Sequence, residues 1–120
     1  MDAALTSKES LTATINKLFG CSDDSFHDFF STLFSTKIQA VVNDETMDYD
    51  GLRASFEKLR DGPKLSANVL DLVKDGRNYA WRHVVEGTLP DGNKMVVKIF
   101  LFGELDEDGK VLRQTESVRS

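Results

Sequence analysis

The sequence predicts an α+β domain, in which a curved antiparallel sheet holds three helices in its concavity. Two observations carry this expectation. From Leu65 to Val118 the chain reads as four strands in a row, joined by turns that each contain Asp-Gly: Lys74-Asp75-Gly76-Arg77, Pro90-Asp91-Gly92-Asn93 and Asp106-Glu107-Asp108-Gly109. Asp-Gly accepts positive φ at little steric cost, which makes it the strongest short-range hairpin signal. Ahead of the strands, three segments carry apolar residues at helical spacing, enough to cover one face of the sheet. With 120 residues, positions 1–120 form a single domain around one core.

The elements follow in order. Thr6-Ser7-Lys8-Glu9 has capping-box spacing and opens a first helix with Leu11, Ile15, Leu18 and Phe19 on one face; Gly20 ends it. Ser22-Asp23-Asp24 caps a second helix, its acids near the positive end of the helix dipole. Phe26, Phe29, Phe30, Leu33 and Phe34 then form a full apolar stripe, as core or as cavity lining. Ile38 to Val42 reads as a short strand broken by Asn43-Asp44-Glu45. Asp48 or Asp50 caps a third helix that buries Leu52, Phe56 and Leu59 and stops at Gly62-Pro63.

Composition narrows the function classes. The net charge is -5 and no Lys/Arg cluster exceeds two residues, so neither nucleic acid nor an anionic membrane is an expected partner. Cys21 is the only cysteine, which rules out an internal disulfide. His27 and His83 have no spacing for shared ligation, and no phosphate-binding glycine motif is present. No metal and no cofactor are therefore expected. The N-terminus lacks a basic segment followed by an apolar one, and no apolar run approaches the ~20 residues of a membrane span. The expectation is a soluble cytoplasmic protein.

The strand faces say more. On the strand from Arg77 to Gly87, Tyr79, Trp81, His83 and Val85 share one side and should face the helices. On the next strand both rows are apolar: Met95, Val97, Ile99 and Leu101 on one side, and Val96, Lys98, Phe100 and Phe102 on the other. Helices cover only one face of so small a sheet, so Phe100 and Phe102 predict a homodimer through the outer face. A contact with the chain's own N-terminal residues is the alternative. Pattern alone does not orient the last strand.

In its order of elements the chain resembles the nuclear-transport-factor-2-like superfamily, within it the SnoaL-like and ketosteroid-isomerase-like proteins. The residues that carry the resemblance are Asp50-Gly51-Leu52-Arg53, the Asp75-Gly76 hairpin, Arg82-His83-Val84-Val85-Glu86-Gly87 and Asp108-Gly109-Lys110-Val111. The resemblance covers nearly the whole chain. It implies a cone-shaped α+β barrel of the cystatin-like kind with a pocket at its open end, and frequent dimerisation through the outer face. It further implies a family of cyclases, isomerases, dehydratases and epoxide hydrolases beside members that only bind, so fold does not settle function.

The steroid-isomerase site is not reproduced. That enzyme uses an aspartate base with a tyrosine and a protonated aspartate as oxyanion donors. Registration on Gly109-Lys110-Val111 puts Leu101 at the donor aspartate, and the only tyrosines, Tyr49 and Tyr79, lie off the first helix. Asp44 reaches the base position only with a shift in register. The same registration turns Gln114, Glu116 and Val118 inward. In SnoaL-like cyclases an acid in the pocket is the general base, and Glu116 is its nearest counterpart here.

The candidate catalytic residues are therefore His83 and Glu116, with Tyr79, Trp81, Asn68, Phe30, Leu101 and Gln114 as candidate substrate contacts. Histidine is the commonest general acid or base, and a carboxyl inside an apolar cone has its pKa raised by desolvation. Structural readings stand beside these. His83 can be a core histidine bonded to a backbone carbonyl or to Tyr79, and Glu116 can sit at the rim or pair with Arg82, Arg113 or Arg119. The expected function is binding of a small hydrophobic molecule, with cofactor-independent isomerisation, cyclisation or dehydration as the chemistry. The alternative is a non-catalytic dimeric module whose cone is filled by side chains. A connected void of roughly 300 Å³ or more that reaches His83 distinguishes them.

Overall fold

In the computed structural model, which describes residues 4–119, a short 3-10 turn at Ala4–Thr6 leads into three helices and six strands. These are α1 (Lys8–Gly20), α2 (Asp23–Leu33), β1 (Phe34–Val42), β2 (Glu45–Met47), α3 (Tyr49–Arg60), β3 (Leu65–Asp75), β4 (Asn78–Thr88), β5 (Lys94–Leu105) and β6 (Val111–Arg119). The strands make one curved, unclosed sheet in the order β2-β1-β6-β5-β4-β3.

The meander β3 to β6 is antiparallel, with Gly76, Gly92 and Gly109 of its turns at positive φ. The sheet as a whole is mixed, which corrects the expectation of a purely antiparallel one. β1 runs parallel to β6, with Phe34 opposite Val111 and Val42 opposite Glu116. No hairpin links these strands, so no tight turn dictates their relative direction.

Local chemistry explains the other departures. Ser7, not Thr6, caps α1 by accepting from the Ser10 N–H at 3.0 Å, and Asp48 caps α3 by accepting from the Gly51 N–H at 2.9 Å. Asn43 and Asp44 do not simply end β1. Both lie at positive φ (47° and 73°), the requirement of a type I′ turn, and they fold β2 back on β1. Asn43 also ties this turn to β6: its Oδ1 accepts from the Val118 N–H and its own N–H donates to the Glu116 carbonyl. Phe34 belongs to β1 rather than to α2. Leu59, expected to be buried, is 47% exposed at the end of α3.

The helices fill one end of the concavity. Phe30 is fully buried, with its ring 4.7 to 5.7 Å from those of Phe34, Tyr49, Phe26 and Phe56. Arg60 lashes α3 to the α1–α2 junction, donating to the carbonyls of Leu18 at 2.7 Å and Cys21 at 2.6 Å and pairing with Asp23. α1 also covers the free edge of β3. Asn16 exchanges two hydrogen bonds with the Ala67 backbone, and Thr12 Oγ1 accepts from the Val69 N–H. On the convex face Phe100 and Phe102 are 40% and 58% exposed. No helix among the described residues is long and apolar enough to cross a membrane.

Candidate functional site

Strand register arranges the concave face in rows. Trp81, Leu101 and Glu116 lie opposite one another on β4, β5 and β6, with Val42 beyond on β1. One row toward the open end come His83, Ile99 and Val118, then Val85 and Val97, and then Met95. One row toward the filled end come Tyr79, Gly103 and Gln114. Gly103 lies under Tyr79 by necessity. A Cβ there would sit 1.9 Å from the Arg113 carbonyl oxygen and 3.0 Å from the Tyr79 hydroxyl, which donates to that carbonyl at 2.9 Å.

A cavity of about 440 Å³ occupies the open end. Its walls are apolar, from Ile15 and Phe19 of α1, Leu52 and Phe56 of α3, and the rows of β4 to β6. Polar side chains reach it at four places: Ser55, Lys58, His83 and Glu116. Ser55 bonds back to the Gly51 carbonyl, and Lys58 is exposed on the outer turn of α3. Both escaped the sequence reading, although Ser55 falls three residues after Leu52 on the apolar face of α3. His83 and Glu116 are the remaining titratable groups on the walls.

Their environments differ from either structural alternative. His83 is 7% exposed, and its Nδ1 accepts from the indole N–H of Trp81 at 2.9 Å; it is bonded neither to a backbone carbonyl nor to Tyr79, whose hydroxyl donates to the Arg113 carbonyl. Burial pushes its pKa down to about 4, so the ring is neutral. Glu116 accepts from the Gln114 amide at 2.9 Å and pairs with no arginine among the described residues. Burial pushes its carboxyl up to about 7. No hydrogen bond joins the two. With β5 between them and their rows adjacent, they stand roughly 10 Å apart across the sheet and about 7 Å along it. They face the same space as separate groups, and burial rather than mutual charge sets each.

The other candidates divide. Trp81 and Leu101 line the cavity. Gln114 lies behind Glu116 and holds it, while Phe30 is enclosed in the filled end. Tyr79 stacks on Trp81 at 5.1 Å, behind the wall; burial, then the nearby Glu116, raises its pKa. Asn68 is exposed on the convex side, because Ala67 and Val69 take the concave positions of β3, so it does not contact the cavity. Among the described residues no group of three or more His, Cys, Asp or Glu could hold a metal ion.

No protein-family model matches the chain, and no curated protein matches it in sequence. Solved structures do match. An NTF2-like protein of unknown function from Exiguobacterium sp. 255-15 superposes with a TM-score of 0.70 at 20% identity, covering 89% of this chain and 98% of that one. IdmH from Streptomyces antibioticus, provisionally assigned as a polyketide cyclase, gives 0.72 at 15% identity, covering 88% and 89%. A Catenulispora acidiphila protein with a ketosteroid isomerase-like fold, in complex with trimethylamine, gives 0.69 at 13% identity, covering 92% and 85%. These likenesses establish architecture, and the chain has the NTF2-like, SnoaL-like α+β cone fold.

Proposed function

We propose that this protein binds a small, largely hydrophobic molecule in the open end of the cone and moves a proton on it through Glu116. The observation that carries the reading is the apolar cavity of about 440 Å³ with one partly buried carboxyl on its wall. It exceeds the roughly 300 Å³ at which ligand pockets begin. At the ~30 Å³ that one water-sized atom occupies, it has room for roughly fifteen non-hydrogen atoms. A carboxyl titrating near 7 exists in both forms at neutral pH, so it can take a proton and return it. Isomerisation, cyclisation and dehydration all need that step, and none needs a cofactor. The single cysteine is free, which suits a reducing cytoplasm.

Proton transfer can be followed as deuterium exchange at the α-carbon of a bound bicyclic ketone, 1-tetralone. Glu116→Gln should fold normally and slow the exchange by about 10²- to 10⁴-fold. An unchanged rate would sink the mechanism.

The exposed phenylalanines favour a second, compatible role, a homodimer through the convex face. Phe100→Glu should halve the mass in solution, and a wild-type monomer refutes the dimer outright.

A further inference from the structure

Trp81 and His83 are two residues apart on β4, so both side chains stand on the concave face. An indole N–H only donates. The nitrogen of His83 that faces it at 2.9 Å must therefore present a lone pair. That nitrogen is Nδ1, so the neutral ring carries its proton on Nε2. Nε2 has no partner among the described residues, yet it is not sealed in the core, and the ring lines the cavity. Across the sheet His83 faces Val69 and Ile99, with Val118 beyond, and none of these is charged. The indole is itself held: it stacks on Tyr79, whose hydroxyl is anchored on the Arg113 carbonyl of β6.

We propose that Trp81 is a positioning residue that fixes His83 in the Nε2–H tautomer, so that His83 donates a hydrogen bond to an acceptor oxygen on the ligand and does not take up a proton. The tautomer follows from the protein alone, whereas the ligand oxygen rests on the binding reading above. The assignment separates the two candidate groups by role. Glu116 handles the proton, and His83 recognises an oxygen. It also narrows the ligand class to neutral, mostly apolar molecules with one accepting oxygen, such as ketones or esters. A hydrocarbon of the same shape would leave the Nε2–H unpaired in an apolar wall.

Two measurements test this. The first is ¹⁵N NMR of histidine- and tryptophan-labelled protein at neutral pH, with His27→Asn to leave one imidazole. The expected spectrum has a pyridine-type Nδ1, a pyrrole-type Nε2 and a scalar coupling between Trp81 Nε1 and His83 Nδ1. In Trp81→Phe, which keeps an aromatic ring against Tyr79, the two nitrogens should shift toward a tautomer mixture. A pyrrole-type Nδ1 in the wild type, or identical spectra for the two proteins, overturns the assignment. The second is titration with 1-tetralone and its isosteric hydrocarbon 1-methylenetetralin. The ketone should bind roughly tenfold tighter, and His83→Leu should erase the difference. Equal affinities in the wild type overturn the donor role. Binding of neither compound rejects the ligand reading and the donor role together, while the nitrogen spectra still decide what Trp81 does.

Discussion

The two ends of the concave face are built from the same kinds of residue and behave oppositely. At the closed end Phe26, Phe30 and Tyr49 pack ring to ring, and Phe34 and Phe56 join this cluster while also lining the cavity. At the open end the rows of Leu101, Ile99, Val97 and Met95 meet no comparable filling, and about 440 Å³ stays empty. Apolar residues alone therefore do not distinguish a core from a pocket. The difference lies in what the helices present. α2 buries Phe26 and Phe30 at one end, whereas α3 gives Tyr49 to that cluster and faces the cavity with Leu52, Ser55, Phe56 and Leu59. The filled end is therefore the expected seat of stability, and the hollow end carries the proposed site.

The sharpest way to break this contrast is Phe30→Ala. Its ring is fully enclosed, so truncation should cost about 3–5 kcal/mol in urea unfolding. A loss below about 1 kcal/mol would mean that the closed end is not the stabilising one.

The titratable groups give the next largest effect. Between its ordinary 4.5 and about 7, Glu116 holds more proton in the folded state, so its contribution to stability is complete below 4.5 and declines as pH rises toward 7. Between about 4 and its ordinary 6.5, His83 holds less proton folded than unfolded, so its contribution is complete above 6.5 and lost as pH falls to 4. The two slopes oppose each other from about 4.5 to 6.5. Wild-type stability should be nearly level across that window. Glu116→Gln should make it rise with pH and His83→Gln should make it fall, each by up to about 3 kcal/mol. A Glu116→Gln curve parallel to the wild type would contradict the burial of that carboxyl.

Filling the hollow end should do least to the fold. Val97→Phe adds bulk where space already exists, so the unfolding midpoint should move by no more than about 1 kcal/mol while ligand binding disappears. A large destabilisation would show that the space closes in solution.

Much of this was legible in the residues. The alternation of Tyr79, Trp81, His83 and Val85 oriented β4, and the Asp-Gly turns set the meander. The inward side of β6 needed the family registration, since its own pattern is ambiguous. Asn68 faces outward because Leu65, Ala67 and Val69 alternate on the concave side around it; the bulge between Val69 and Asp71 switches the faces only farther along β3. The turn at Asn43-Asp44 lacks a glycine and looked like a break, although Asn and Asp both tolerate positive φ. The β1–β6 pairing joins residues more than seventy positions apart, beyond the reach of any local signal. The Trp81–His83 bond was within reach, since residues two apart on a strand share a face, but a side-chain rotamer decides it.

The place of β6 has a consequence in time. It is the last of the six strands among the described residues yet lies inside the sheet, between β1 and β5. The β3–β5 meander is built from local hairpins, whereas without β6 the β1–β2 pair has no strand joining it to that meander. Only when β6 arrives do the two parts join, and the same strand brings Glu116 into the cavity wall. Closing the gap in the sheet and bringing Glu116 into the cavity wall are thus one event.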